Sequence, residues 1–369
     1  MKIVADCDIP YLRGALEPYG KVVYLKGKDI KASDLVDADA LIVRTRTRCD
    51  AALLEGSHVR FVGTATIGYD HIDMDYCRRQ GIRVATAAGC NARGVLQWVS
   101  AVLAGVSRRE GWRPQERTVG VVGVGHVGSL IAAYTQSWGF RVLCCDPPRR
   151  RAAVSGNPAT LPPAGTEFSG ASELDPLNFV TSKEIAAQAD IITFHVPLNR
   201  TGEDATFHLA DSGFFGRIDA NSLIINSSRG EVVDTEALVS ALQQSEQAGR
   251  KPGLRCAVDV WEEEPHIAPE LLRRTLFATS HIAGYTLQGK INGTTMMVHA
   301  LGDAFGLPVA GWYPPDAPPP VQPRPISWDE MCRTVGAHFD IDAETARLKA
   351  LPGQFEQIRD RYDFRQEYF

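Results

Sequence analysis

The chain has 369 residues, 44% of them hydrophobic and 22% charged, with a formal net charge of −5. That length allows two or more domains with separate cores, and the acidic balance argues against a dedicated nucleic-acid binder. No apolar run approaches the ~20 residues of a membrane helix, and the opening MKIVADCDIPYL reads as a strand and turn rather than a signal peptide.

Short β-like runs, KIVAD, ALIVR, RFVGTAT and IRVATA, each lead into polar or helical material, the pattern of an α/β protein with a parallel sheet. From Val95 to Arg109 an apolar helical stretch reads as a connection between two domains. Past it come four more strand candidates, DIITFHVPL, SLIINSSRG, RCAVDVW and LFATSHIAG. Between Arg149 and Ser182 a Pro/Gly/Ser-rich stretch of low periodicity predicts an extended surface excursion, ending at a helix over SKEIAAQAD. The proline-rich run Trp312 to Pro325 excludes helix and central strand. The segment beyond Pro325 is too short to carry a core alone and reads as an appendage or subunit contact. The eight cysteines include no CxxC and lie mostly in apolar runs, as expected of buried thiols in a reducing compartment such as the cytoplasm.

The most specific local signal spans Val119 to Pro148. A β-rich run reaches Gly123-x-Gly125-x-x-Gly128, a helical pattern comes next, and a second strand ends on Asp146, 18 residues past Gly128. This is a dinucleotide-binding fingerprint in its structural context. Gly123 permits a tight turn, Gly125 lets the backbone approach a pyrophosphate, and Gly128 lets helix and strand pack closely. The free amides of the helix start favour the phosphates. A carboxylate at position 146 would accept the adenosine ribose hydroxyls and repel a 2′-phosphate, which predicts NAD. Arg149, Arg150 and Arg151 could instead pair with such a phosphate; an exposed basic turn is the expected alternative.

Three charged residues fall at strand ends, where ligands bind open α/β sheets: Arg229 after LIINSS, Glu264 in DVWEEEP, and His281 in ATSHIAG. Oxidising an alcohol needs a base, for which histidine suits, and a carboxylate stabilises the imidazolium. Arginine can hold a substrate carboxylate through two hydrogen bonds. Each residue alone has an ordinary structural reading; their order after a dinucleotide fingerprint favours chemistry. No metal-ligand set is expected. Arg44, Arg46 and Arg48 alternate after a strand, so all three share one face if the chain stays extended. They form either a phosphate site or a solvated basic edge.

The segments INSSRGEVVD, DVWEEEP and SHIAGYT resemble the three signatures of the D-isomer-specific 2-hydroxyacid dehydrogenases. The likeness covers nearly the whole chain apart from the 149–182 insert. It implies doubly wound parallel sheets: a Rossmann-type NAD domain at 96–285, a flavodoxin-like substrate domain at 1–95 and 286–310, and a linker with a C-terminal dimerisation segment at 311–369. It assigns Arg229, Glu264 and His281 as carboxylate anchor, histidine partner and acid/base. Asp146, Thr193, Asp259 and Gly284 fall at NAD contacts, His126 and Val127 offer amides to the pyrophosphate, and Ser227 and Ser228 pass the nicotinamide ribose. Thr45, Thr66 and Tyr285 match substrate contacts, and Arg44 is the arginine that aligns with the family. Val196 replaces a common threonine. The segments GCNARGV and SHIAGYTLQGKINGTT point to a branch handling a small phosphorylated 2-hydroxy acid as a homodimer. Another family member with a differently shaped pocket, or an NAD-sensing scaffold without catalysis, is the competing reading.

Overall fold

The computed structural model describes residues 1–156 and 174–369. The chain divides into two compact units, one of Met1–Asn91 with Thr286–Val321 and one of Ala92–Tyr285 with Gln322–Phe369.

The first unit is built on a wholly parallel sheet of β1 (Lys2–Asp6), β2 (Lys21–Leu25), β3 (Ala40–Val43), β4 (Phe61–Thr64) and β5 (Arg83–Thr86). Its order, β2-β1-β3-β4-β5, is the flavodoxin-like one. β3 and β4 are buried at every residue, which is why they read as continuous apolar runs rather than alternating ones. β2, at the edge, has no fully buried residue. Ile3, Ile42 and Phe61 form a core with Met297, Val298 and Leu301 of the returning helix Leu287–Phe305.

The second unit carries β6 (Thr118–Val122), β7 (Arg141–Cys145), β8 (Ile191–Phe194), β9 (Leu223–Asn226), β10 (Arg255–Val258) and the two-residue β11 (Phe277–Ala278). All pair in parallel in the order β11-β10-β9-β8-β6-β7. The chain winds from β6 to β7 on one side and then to β8 on the other, so the topological switch point lies between β6 and β8. Ligands of doubly wound sheets bind outside the strand ends at such a point. The 19-residue helix Ala92–Glu110 belongs wholly to this unit, with Trp98 fully buried in its core.

The structure corrects two sequence expectations. The composition predicts an extended insert from Arg149, yet Pro147–Val154 is helical. Asp146 caps it by accepting the Arg149 amide, and its two leading prolines already have helical φ. The remainder of that expectation, residues 157–173, lies outside the described residues. The three arginines lie in this helix rather than in a turn: Arg149 is buried, whereas Arg150 and Arg151 are exposed, as expected of a solvated basic segment, with Arg151 paired to Glu203 and Asp204.

Residues 322–369 supply core to the second unit. Met331, Val335, Phe339 and Phe369 join the cluster around Trp98, while Leu348, Phe355 and Ile358 pack with the β8–β10 face. Arg365 is buried and donates to the carbonyls of Gly94, Ile282 and Ala283. All eight cysteines are free, with Cys7, Cys90 and Cys332 half-buried and the rest buried.

Candidate active site

At the end of β6 the three glycines do different work. Gly123 has φ +87°, and a Cβ there would lie 2.7 Å from the carbonyl oxygen of His195. A Cβ on Gly128 would lie 1.9 Å from the Gly123 oxygen, so helix His126–Ser137 closes on the strand only because position 128 has no side chain. Gly125 faces open space, with nothing within 4 Å of its Cβ position, and as N-cap it offers no side chain to the first-turn amides. Those orphan amides, His126 and Val127 among them, form a cradle for an anion. Burial above all, together with the cation of Arg149, holds the His126 imidazole below its ordinary pKa.

Asp146 does two structural jobs: Oδ2 accepts the Val124 amide at 2.8 Å and Oδ1 the Arg149 amide at 3.1 Å. Arg149 donates through Nη1 to the Val124 carbonyl, leaving its buried Nε and Nη2 without partners among the described residues. Ser227 Oγ, just past β9, is also buried without such a partner. Open space at Gly125, uncapped amides and orphaned polar atoms at the strand ends are what a dinucleotide would fill, so the residues fit NAD. At the end of β8, Thr193 Oγ1 lies 2.8 Å from His195 Nε2. Burial pushes that imidazole down to about 3, so it is neutral.

Across β9 and β10, two loops are locked together. Asn226 Oδ1 accepts the amide and hydroxyl of Ser228, and its Nδ2 donates to the Arg229 carbonyl at 2.8 Å. A Cβ on Gly230 would come within 2.0 Å of the Trp261 carbonyl carbon, so the Arg229 loop packs directly on the loop carrying Glu264. His208 ties the same loops, with Nε2 2.7 Å from Glu262 Oε1 and Nδ1 3.5 Å from Asp234. None of Asn226, His208 and Trp261 is singled out by sequence reasoning. The Asn-x-Ser of an Asx-type turn at a strand end is the one local signal that could have found the first.

His281 comes after β11 in the left-handed region, φ +59°, an unusual conformation for a non-glycine residue and one that concentrates at functional sites. Asp259 sustains it. Its buried carboxylate accepts the Thr279 hydroxyl and the Ile282 amide on Oδ1 and the Ala283 amide on Oδ2, and its carbonyl accepts the His281 amide. His281 Nδ1 meets Glu264 Oε2 at 2.8 Å, while Oε1 accepts the Trp261 amide at 2.9 Å. Burial works to raise the Glu264 pKa, but the His281 charge and hydrogen bond, the Trp261 amide and Arg359 together carry it below the usual carboxylate range. Glu264 is thus an acceptor, and the Nδ1-protonated tautomer leaves Nε2 basic. Tyr285 closes the turn after Gly284, its amide donating to Ile282.

The remaining expected residues belong to the first unit. Thr66 Oγ1 lies 2.6 Å from Thr64 Oγ1 at the end of β4, and Thr45 is exposed after β3. The shared face of Arg44, Arg46 and Arg48 does not form, because the chain turns after Val43 with the Thr47 amide reaching the Arg44 carbonyl. Arg48 pairs with Asp50, and Arg44 Nη1 donates to the Asp8 carbonyl at 3.0 Å.

The model for the NAD binding domain of the D-isomer specific 2-hydroxyacid dehydrogenases matches residues 91–283. The erythronate-4-phosphate dehydrogenase of Bacteroides fragilis is 39% identical over 368 residues, covering 100% of this chain and 97% of that protein. The chain belongs to the D-isomer specific 2-hydroxyacid dehydrogenase family. Its cofactor is NAD, and it is an NAD-dependent dehydrogenase. The erythronate-4-phosphate dehydrogenase of Cronobacter sakazakii is also 39% identical, covering 100% of this chain and 92% of that protein. Among solved structures, an NAD⁺-bound 3-phosphoglycerate dehydrogenase from Entamoeba histolytica aligns with a TM-score of 0.65 at 23% identity, over 83% of this chain and 95% of that one. That likeness is of fold. Among the described residues no helix is long and apolar enough to cross a membrane.

Proposed function

We propose that this dehydrogenase oxidises 4-phospho-D-erythronate to 2-oxo-3-hydroxy-4-phosphobutanoate, as a cytoplasmic homodimer serving pyridoxal 5′-phosphate (vitamin B6) synthesis. The observation that carries the chemistry is the His281–Glu264 pair, 2.8 Å apart, on a turn that Asp259 holds in a strained conformation. The names of the full-length relatives support the choice of acid. The free, mostly buried thiols support a reducing compartment.

In this reading His281 Nε2 takes the C2 hydroxyl proton as the C2–H bond breaks, and Glu264 stabilises the imidazolium that results. Arg229 holds the substrate carboxylate and so fixes C2. Bound NAD⁺ supplies the acceptor for the C2 hydride. It would be held by Gly123, Gly125, Gly128, the amides of His126 and Val127, Asp146, Thr193, Ser227, Ser228, Asp259 and Gly284. Thr45, Thr66, Tyr285 and Arg44 are the proposed substrate contacts.

The test monitors NADH formation with 4-phosphoerythronate and with 3-phosphoglycerate, for the wild type and His281→Asn. The reading requires turnover of the first acid in preference to the second, and its loss in the variant. Undiminished turnover by the variant would remove His281 as the base, and preference for 3-phosphoglycerate would replace the substrate.

A further inference from the structure

The turn that carries His281 is held from two sides. Asp259 takes its amides: the carboxylate accepts those of Ile282 and Ala283, and the Asp259 carbonyl accepts that of His281. The carbonyls of the same turn converge on Arg365, which lies 83 residues beyond Ile282 and outside every family signature. Arg365 Nη1 donates to the Ile282 carbonyl at 2.9 Å and reaches that of Tyr285 at 3.5 Å. Nη2 donates to the Ala283 carbonyl and, at 2.9 Å, to the Gly94 carbonyl in the helix Ala92–Glu110. The side chain is only 7% exposed, its guanidinium 4.7 Å from the centre of the Phe339 ring and its Nη1 3.3 Å from the Tyr362 hydroxyl.

Burying a guanidinium is costly unless its donors are met, and here backbone carbonyls of one short turn meet them. That turn starts from a non-glycine residue at φ +59°, a conformation that persists only where its surroundings over-determine it. A buried acid on the N–H groups and a buried base on the C=O groups supply that constraint. The forked, planar donor set of arginine lets one side chain hold the turn and the Gly94 carbonyl together, which a single ammonium point charge does less well. We propose that Arg365 is a positioning residue for the acid/base. By clamping the 282–285 turn to the helix Ala92–Glu110 it sets where His281 Nε2 points, so the C-terminal segment contributes to the chemistry of the second unit without touching substrate. This rests on His281 being the group that takes the hydroxyl proton.

The test compares the wild type, Arg365→Met, Arg365→Lys, His281→Asn and the double variant His281→Asn with Arg365→Met, using 4-phosphoerythronate. NADH fluorescence titration counts the sites that remain folded and binding. Counted per such site, kcat should fall roughly 10- to 100-fold in Arg365→Met, the cost of misplacing a catalytic group by about 1 Å, with KM nearly unchanged and part of the rate restored in Arg365→Lys. In the His281→Asn background the same substitution should cost the residual turnover nothing further. Fewer NADH sites with an unchanged kcat per site would make Arg365 a mere staple of the fold and overturns the proposal, as does an equal further fall in the double variant. Hydrogen exchange read by mass spectrometry is the second measurement. The amides of residues 281–285 should exchange faster in Arg365→Met while those of β6 and β8 keep their protection, and an unchanged turn overturns the proposal. Should Arg365→Met fail to fold, Arg365→Lys must show both effects at smaller size, or the proposal falls. If the wild type does not turn over the acid, or His281→Asn does so undiminished, the catalytic reading fails by itself. Faster exchange of the turn would then still uphold Arg365 as its clamp, and unchanged exchange would dismiss it.

Discussion

His281 is bonded through Nδ1 to Glu264 Oε2 at 2.8 Å, so Nε2 is the ring nitrogen to which the proposed mechanism gives the substrate proton. Glu264→Gln removes the negative charge that, in the proposed mechanism, stabilises the imidazolium formed in alcohol oxidation. The amide can also select the wrong tautomer, so kcat should fall by roughly 10²- to 10⁴-fold. Steady-state kinetics in both directions check this; an unchanged kcat would separate Glu264 from the base.

Gly125 and Gly128 predict opposite outcomes for the same substitution. Gly128→Ala forces a Cβ to within 1.9 Å of the Gly123 oxygen and should cost about 1–3 kcal/mol or more of stability. Gly125→Ala meets no atom within 4 Å and should melt like the wild type while losing NADH affinity, because the added methyl occupies the space left for a pyrophosphate. Thermal melts beside fluorescence titrations with NADH distinguish the two; equal loss of stability in both would refute the assignment.

Asp146, a structural cap, is also the residue proposed to set cofactor choice. Asp146→Ala loses a helix cap, worth about 0.5–2 kcal/mol, and orphans the Val124 amide. It also removes the charge that would oppose a 2′-phosphate beside Arg149, so the NAD/NADP ratio in kcat/KM should fall together with Tm. A fall in Tm with an unaltered ratio would confine Asp146 to its structural role.

His195 gives a stability signature with pH. Its folded pKa is pushed down to about 3 by burial, whereas a free histidine titrates near ~6.5. Protonation therefore favours the unfolded chain as pH falls, and this one group removes up to ~1.4 kcal/mol per pH unit between roughly pH 6.5 and 3. Above that window it contributes no pH dependence. Denaturation of His195→Asn across the window should show a shallower decline than the wild type; parallel curves would contradict the buried neutral state.

The glycines, Asp146 and the Arg–Glu–His order are legible in the sequence because each depends on residues within one strand-turn unit. So are β3, β4, β6, β8 and β9, whose burial on both faces leaves plain apolar runs. β2 is not, since an edge strand with only half-buried residues carries a weaker signal. The arginines after β3 mislead because face-sharing assumes an extended chain that in fact turns at Thr47. Arg359 is beyond reach: its partner Tyr285 lies 74 residues away, and no local periodicity encodes such a contact.

Both units are discontinuous in the chain, and this sets an order on the ribosome. The strands β1–β5 are complete at Thr86, but the helix that closes their core begins at Leu287, about 200 residues later. At ~5–20 residues per second the nascent sheet waits roughly 10–40 s with that face uncovered. The nucleotide-binding unit waits longer, for Phe369. Neither can mature as an independent N-terminal piece, so fragments cut between residues 92 and 285 would leave both cores open and should be prey for chaperones and proteases rather than stable modules.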